Sequence, residues 1–439
     1  MASTATSLRI EPGESLRTGR FSTRAAVLGV LALALRLVLG RFEPLPPTRY
    51  LRGPLVADET WYVRVAHNLL EGRGFVFEGV QTALHGPLTV LLLVPATALQ
   101  PFGYTAQRAT MSVLGALAVV VIAYVGRELG GDRLGLVAGV VAALYPGLWV
   151  NDLVATSETP AIALLSVVLY LSLRCRRGLT WRRVVALGVT LGLLALDRGE
   201  LAFLGAALCV PGVVVGSRGE RRRGLVAGRS AAVIVVLALA LIAPWAAYNQ
   251  SRFHRTVLIS DDLGQTLVGA NCPQSYYGPL TGYDGNTCFF SVLAAEERAQ
   301  PHANEAAQNA WFQHEAITYA LHHASRWPEV AVLREAWLWS LWRPGWTVVM
   351  SAAYIGRPAW MSWLQIASFW VLAPVAFAGA LLARRRRVRV GELVTMVVFT
   401  ALLGLLVVGH LRYRIAAEVA IVTLSAIALD SLAGLRTPV

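Results

Sequence analysis

The sequence predicts an all-α polytopic membrane protein with about 10–11 transmembrane helices, and three observations predict it. Charged residues make up only 15% of the 439-residue chain and apolar residues 56%, against roughly 25% charged in a soluble domain. Apolar runs near the roughly 17–25 residues needed to cross a bilayer recur from residue 24 to residue 433. Basic residues gather in short links between those runs, at 174–183, 217–223 and 384–389, the pattern that places such links in the cytoplasm. The 39 basic side chains are all arginine, and the net charge of +13 is thereby a signal of membrane orientation. No nucleic-acid partner is expected from it.

Eleven apolar segments follow in order: 24–42, 85–102, 108–126, 134–150, 157–173, 183–197, 200–216, 229–248, 363–383, 391–410 and 414–433. The tail at 1–23 reads as cytoplasmic. It lacks a small-residue cleavage site, so the first span is expected to be retained. The N-terminal membrane module covers 24–248 and includes a first external loop at 43–84. A large external loop occupies 249–362, and C-terminal membrane helices fill 363–439. The Arg-rich links put both long loops outside. Seven apolar segments lie between them, however, and an odd number of crossings would put them on opposite sides. Either one segment does not cross fully or one break between segments is false, and the suspect region is 85–173.

The second external loop divides in two. Residues 258–290 are punctuated by Gly, Pro, Asn and Asp, which mark turns. Residues 294–343 read as helices, with Ala307, Trp311, Ile317 and Leu321 near one face and a boundary at Pro328. Trp337, Trp339, Trp342 and Trp346 suit a membrane interface. Cys272 and Cys288 enclose a Gly-rich stretch in what should be an oxidising space, which predicts a disulfide. The adjacent His322 and His323 point about 100° apart on a helix and predict no metal site.

In the first loop, "LVADETWYVRVAHNLLEGRGF" (55–75) predicts a short amphipathic helix lying flat in the interface. Its apolar stripe is Trp61, Val65, Ala66 and Leu69, its other face Thr60, His67 and Glu71, and Gly72 and Gly74 end it. Two readings of its head stay open. Asp58 is an N-cap with Glu59 in the first turn, where the helix dipole favours negative charge, or it is a carboxylate aimed at a lipid-linked substrate. Asp197, Arg198 and Glu200 can neutralise one another or serve a site. Glu158 sits where Ser157 or Thr156 could cap a helix.

The order of features sharpens this. A first span, the Asp-Glu pair, "HGPLTVLLL", "TSETPAIALLSVVLYL", "LALDRGELAFL", "APWAAYNQSRFHRTVLISDDLGQTLVGANCP", "HEAITYALHHASRWPEVAVLREAWLWSLWRPG" and "LRYRIAAEVAIV" together resemble the C-type (GT-C) membrane glycosyltransferases. Among them the match is to bacterial relatives of protein O-mannosyltransferases and lipid A aminoarabinose transferases (glycosyltransferase family 39-like), over roughly 24–433. The resemblance implies a GT-C fold with two extracytoplasmic loops and a sugar donor on a polyprenyl phosphate. It also implies an inverting transfer of one sugar to an extracytoplasmic acceptor, which is a cell-envelope glycan, lipid or protein. The family's catalytic base maps to Asp58, with Glu59 beside it. Aminoarabinose-type relatives carry a lysine before Pro-Pro-Leu, where this chain has His85-Gly86-Pro87-Leu88. The donor phosphate is then left to His85, Arg198, Arg343, Arg412 or Arg414. A divalent metal is possible, but no acidic cluster demands one. The expected location is the inner (plasma) membrane, with the site on its outer face. A rival reading is a transporter or flippase for a lipid-linked glycan, whose charges should pair in mid-span. A non-catalytic scaffold is a third.

Overall fold

The first helix, α1 (Pro12–Phe42), runs 31 residues, about 46 Å at 1.5 Å per residue. In this computed structural model, residues 12–42, 58–101, 103–284, 286–301, 303–355 and 357–434 are described. Part of the expected tail 1–23 and the stretch 43–57 of the first loop lie outside them. The next helix, α2 (Asp58–Leu70), precedes a two-residue hairpin of β1 (Val76–Phe77) and β2 (Val80–Gln81), in which Val76 pairs with Gln81. Then come α3 (Pro87–Leu99), α4 (Thr105–Leu144), the single turn α5 (Pro146–Trp149), α6 (Glu158–Arg176), α7 (Trp181–Asp197), α8 (Gly199–Gly216) and α9 (Arg223–Phe253). A cluster of short helices fills the second loop: α10 (Leu263–Ala270), α11 (Pro273–Tyr276), α12 (Asn286–Ala299), α13 (Glu305–His322), α14 (Trp327–Leu338) and α15 (Pro344–Ile355). The chain closes with α16 (Ala359–Arg385), α17 (Gly391–Leu406) and α18 (Ile415–Gly434).

All eleven predicted apolar segments are helical, and among the described residues seven helices are long and apolar enough to cross a membrane. The main core joins α4, α6, α7, α8, α16 and α18. Between lipid-soluble helices the hydrophobic effect offers little, so close contact of small residues drives packing. Gly379 of α16 shows this: a side chain there would run into the Leu424 carbonyl of α18. Helix α4 is two helices that fold back on each other at Gly130 and Gly131, which leave helical geometry, Gly131 with φ +88°; a side chain at Gly139 of the second half would meet Ala123 of the first.

The surplus segment of the parity count is α3. Its 13 residues span only about 20 Å, short of the ~30 Å hydrocarbon core. Both of its ends stay at one end of the bundle. Thr89 near its start donates to Asp197 at the end of α7, 2.5 Å, while Thr97 near its close meets Gln107 in the first turn of α4. The Arg-rich links then share the opposite end, where Arg174 and Arg177 pair with Glu128, and Arg176 pairs with Glu392.

Two expectations change in the loops. Helix α2 is buried along most of its length up to Ala66, at Glu59, Thr60, Trp61, Tyr62, Val63, Val65 and Ala66. The start of its polar face is covered, Glu59 by Arg108 and Thr60 by Tyr104, whereas His67 is half-buried and Arg64 and Glu71 are exposed. In α13 the packed residues are Phe312 and Ala316, against Val268 of α10, and Ala306, in the cluster of Trp61 and Phe253, while Ile317 and Leu321 are exposed. The periodicity was right for a helix, but the neighbour that covers it approaches from another side. A disulfide joins Cys272 to Cys288 and ties the start of α11 to α12. Arg334 of α14, fully buried, donates to the Ala270 carbonyl at 2.6 Å and to Asn271 at 3.0 Å. These bonds tie α14 to the end of α10, and Arg334 Nη1 reaches the bundle at the Leu405 and Leu406 carbonyls of α17, 3.5 and 3.4 Å.

Candidate active site

A cavity of about 300 Å³ opens at the end of the bundle away from the Arg-rich links, within the usual range for small-molecule sites. Turns from along the chain contribute to it: the head of α2, the segment before α3, α5 and its sequel, the α7–α8 corner, the start of α10, the end of α15 with the start of α16, and the start of α18. Asp58, the first described residue of α2, lines the cavity. The turn before α3 holds His85 opposite. Gly86 is obligatory there, because a side chain would strike the Leu196 and Asp197 carbonyls.

Asp58 and Glu59, neighbours in sequence, have different surroundings. Glu59 receives two bonds from the Arg108 guanidinium, at 2.8 and 2.6 Å, and one from the Ala155 backbone N–H at 2.8 Å. Those three donors leave it committed to holding α2 against α4. Asp58 instead meets Arg412 Nη2 at 2.5 Å and His85 Nε2 at 3.6 Å. Burial by itself would raise the Asp58 pKa, but the charges of Arg412 and His85 outweigh it and hold the carboxyl well below its usual range. Burial works against the charge of His85 too, yet Asp58 and Asp262 overcome it and push the imidazole up to about 9. The ring stacks on Tyr62, centroids 5.0 Å apart, and its Nδ1 lies 3.8 Å from Asp262.

The cluster continues as an alternating chain of charges. Arg412 also contacts Glu158, which receives Arg198 Nη1 at 3.0 Å, and Arg198 Nε donates to Glu200 at 2.7 Å. Alternation is what a cavity of low dielectric requires, since an unpaired ion there is costly. His410, two residues before Arg412, is pushed down to about 4 by burial and then by the Arg412 charge, and its Nδ1 accepts the Arg412 backbone N–H at 3.2 Å.

The cavity thus brings together Asp58, Glu59, His85, Arg198 and Arg412, and leaves two sequence candidates out. Arg414 is buried against Glu418 at 2.6 Å and stacks over Phe369 at 3.7 Å. Its partner Glu418, which the Tyr145 hydroxyl also contacts, is the residue that reaches the wall. Arg343 stands on an exposed turn beside Trp342, in a separate shallow cleft with Gly278 and Pro279. Ser157 makes no side-chain cap for α6; Glu158, at the head of that helix, is an ion-pair hub. Asp197 is not neutralised by Arg198 but accepts from Thr89, and Glu200 takes the Arg198 pairing. Four lining residues had no signal that singled them out: Asp262, Asp284, Arg357 and His410. "SDDLG" and "GHLRYR" bear two of them, yet only the fold sets them facing Asp58. Among the described residues no group of three His, Cys, Asp or Glu side chains gathers in a way that could hold a metal.

An end-on cavity roofed by two loops, over a bundle of this topology, defines a polytopic membrane protein with the GT-C glycosyltransferase fold. Residues 84–248 match the sequence profile of the dolichyl-phosphate-mannose-protein mannosyltransferases. The oligosaccharyltransferase AglB of Archaeoglobus fulgidus, solved with an inhibitory peptide and a dolichol-phosphate, superposes with a TM-score of 0.51 at 15% identity, over 93% of this chain and 50% of that one. The apo form of the Archaeoglobus fulgidus oligosaccharyltransferase gives 0.51 at 16% identity, over 94% of this chain and 51% of that one. ArnT of Cupriavidus metallidurans bound to undecaprenyl phosphate gives 0.44 at 17% identity, over 92% and 78%. The chain spans about half the length of the archaeal enzyme it matches. No curated protein sequence matches it.

Proposed function

We propose that this protein is an inverting glycosyltransferase that moves one sugar from a polyprenyl-phosphate donor to an acceptor on the outer side of a cell membrane. The observation that carries the reading is Asp58: an ionised carboxylate lining the cavity and oriented by Arg412 and His85. The Arg-rich links at the far end of the bundle support an outer location for the cavity, and the dolichol-phosphate bound to AglB is of the carrier class the implied donor would leave behind. An acceptor hydroxyl placed beside Asp58 gives its proton to the carboxylate as its oxygen bonds to the anomeric carbon. The bond from that carbon to the phosphate oxygen breaks, and its electron pair leaves with the polyprenyl phosphate. One displacement inverts the anomeric centre. No second carboxylic acid is needed, because the phosphate leaves as a stable anion, in contrast to glycoside hydrolysis.

The test is transfer of radiolabelled sugar from synthetic polyprenyl-phosphate sugars to a membrane extract of the host, with wild type and Asp58→Asn. Wild type should transfer, and the variant should be slower by about 10²–10⁴-fold with an unchanged melting temperature. Equal rates would return Asp58 to the role of a helix cap. Failure of both proteins with every donor, together with donor movement across vesicles, would favour the transporter reading.

A further inference from the structure

The cations of the cavity fall into two kinds. Arg198, Arg412 and His85 each lie within ion-pair reach of two carboxylates. Arg357 has none among the described residues, although it lines the same cavity and is 5% exposed. Its Nη1 donates to the Gln365 side-chain carbonyl at 3.1 Å and its Nη2 reaches the Val150 carbonyl at 3.5 Å, while Nε has no partner among the described residues. Burial draws its pKa down to about 10, which still leaves it charged at neutral pH. Glu158 pulls on this charge from beyond ion-pair reach. Among the described residues, though, the hydrogen bonds of the guanidinium go only to neutral acceptors. A buried cation so placed at the cavity wall can take an anion directly.

Its position says which anion. Arg357 stands two residues before α16, whose first turns expose Trp360 and Trp363 on the outer surface of the bundle, as aromatic side chains do at a membrane interface. Met361, one turn along, packs with Trp149 and Val150. The guanidinium is therefore at the mouth of a span, at the depth of lipid headgroups. Asp58 and the polar residues of α10 lie on other parts of the wall.

We propose that Arg357 receives the phosphate of the lipid carrier, so that the free cation of the cavity, and not Arg412 or Arg198, neutralises the leaving group; this rests on the donor reading above. Arg412 and Arg198 remain on their carboxylates and orient them. When the bond to the anomeric carbon breaks, the phosphate gains one negative charge. The unpaired Arg357 Nε meets it at that moment, so the contact is stronger to the product phosphate and the transition state than to the donor.

Titration of purified protein in nanodiscs with polyprenyl phosphate and with the neutral polyprenol, followed by tryptophan fluorescence, tests this. Wild type should prefer the phosphate by about 10- to 100-fold, the equivalent of one or two charge-assisted hydrogen bonds. Arg357→Gln should lose that preference and bind polyprenol as before. Arg357→Lys, which keeps a charge at this place, should retain part of it. If Arg357→Gln does not fold, Arg357→Lys carries the test, because exchanging a fork for a point charge lowers the preference several-fold. Full preference in a folded variant overturns the assignment, and so does a variant whose only defect is a raised KM for acceptor. A wild type that binds both lipids equally would instead remove the donor reading itself.

Discussion

Arginine serves this molecule in two settings, at opposite ends of one bundle. At the end with the basic links, Arg218, Arg221, Arg222, Arg223 and Arg384 to Arg387 stand exposed to solvent. At the cavity end Arg36, Arg108, Arg198, Arg412 and Arg414 are drawn against carboxylates: Asp152, Glu59, Glu158, Asp58 and Glu418. The difference teaches that residue type decides little and dielectric surroundings decide much. A solvated guanidinium is replaceable and acts through summed charge, whereas an enclosed one is bound to a particular partner, and removing either leaves the other buried and uncompensated.

Several substitutions put that contrast under strain. The heaviest effect should come from Arg412→Ala, which strips Asp58 of its orienting cation and leaves Glu158, a nearly buried carboxylate, with Arg198 alone. Transfer should fall by about 10²-fold or more, with a loss of stability of roughly 2–5 kcal/mol; wild-type kinetics would detach Arg412 from the site. Next, Glu59→Gln should cost about 3 kcal/mol by unpairing Arg108, while the protein that does fold keeps its rate per molecule. A rate defect as large as that of Asp58→Asn, at normal stability, would make Glu59 the base.

A smaller effect is set by pH. The folded pKa of His85 is raised, to about 9 from an ordinary 6.5. Its pairing with Asp58 and Asp262 therefore contributes fully below about pH 6.5 and fades as pH rises toward 9. Melting temperature should drop over that interval, and His85→Gln should flatten the drop; a parallel drop in the variant would point to another group. Least affected should be single exposed arginines of the basic end. Arg221→Ala and Arg386→Ala should each change stability by no more than about 0.5 kcal/mol and leave transfer untouched. A large loss in either would break the division between the two ends.

How the fold and the site were legible in the sequence differs in the same manner. Hydropathy located all eleven apolar helices because each must satisfy its own backbone within a lipid-like interior, a constraint that acts on local composition. It did not reveal that α3 fails to cross, since the turn at Gly86 and the Thr89–Asp197 contact that hold it at one end join residues more than a hundred positions apart. Within the site, Asp58 stood out because helix starts and family order flag it. Arg343 and Arg414 looked as good as Arg412, being basic residues near span mouths, and only packing separates an exposed turn, a buried pair with Glu418, and a cavity wall.

By itself the sequence determined a polytopic helical protein, the orientation signal of its arginines, and an acidic pair at the head of a short loop helix. Tertiary structure decided that Glu59 is taken up by Arg108 while Asp58 meets Arg412 and His85, which other arginines are paired with carboxylates, and that Arg357 is not. The physical reason is range. Hydrophobicity and helix-start chemistry act over a few residues, whereas the pairing of buried charges depends on which distant turns are brought to the same end of the bundle.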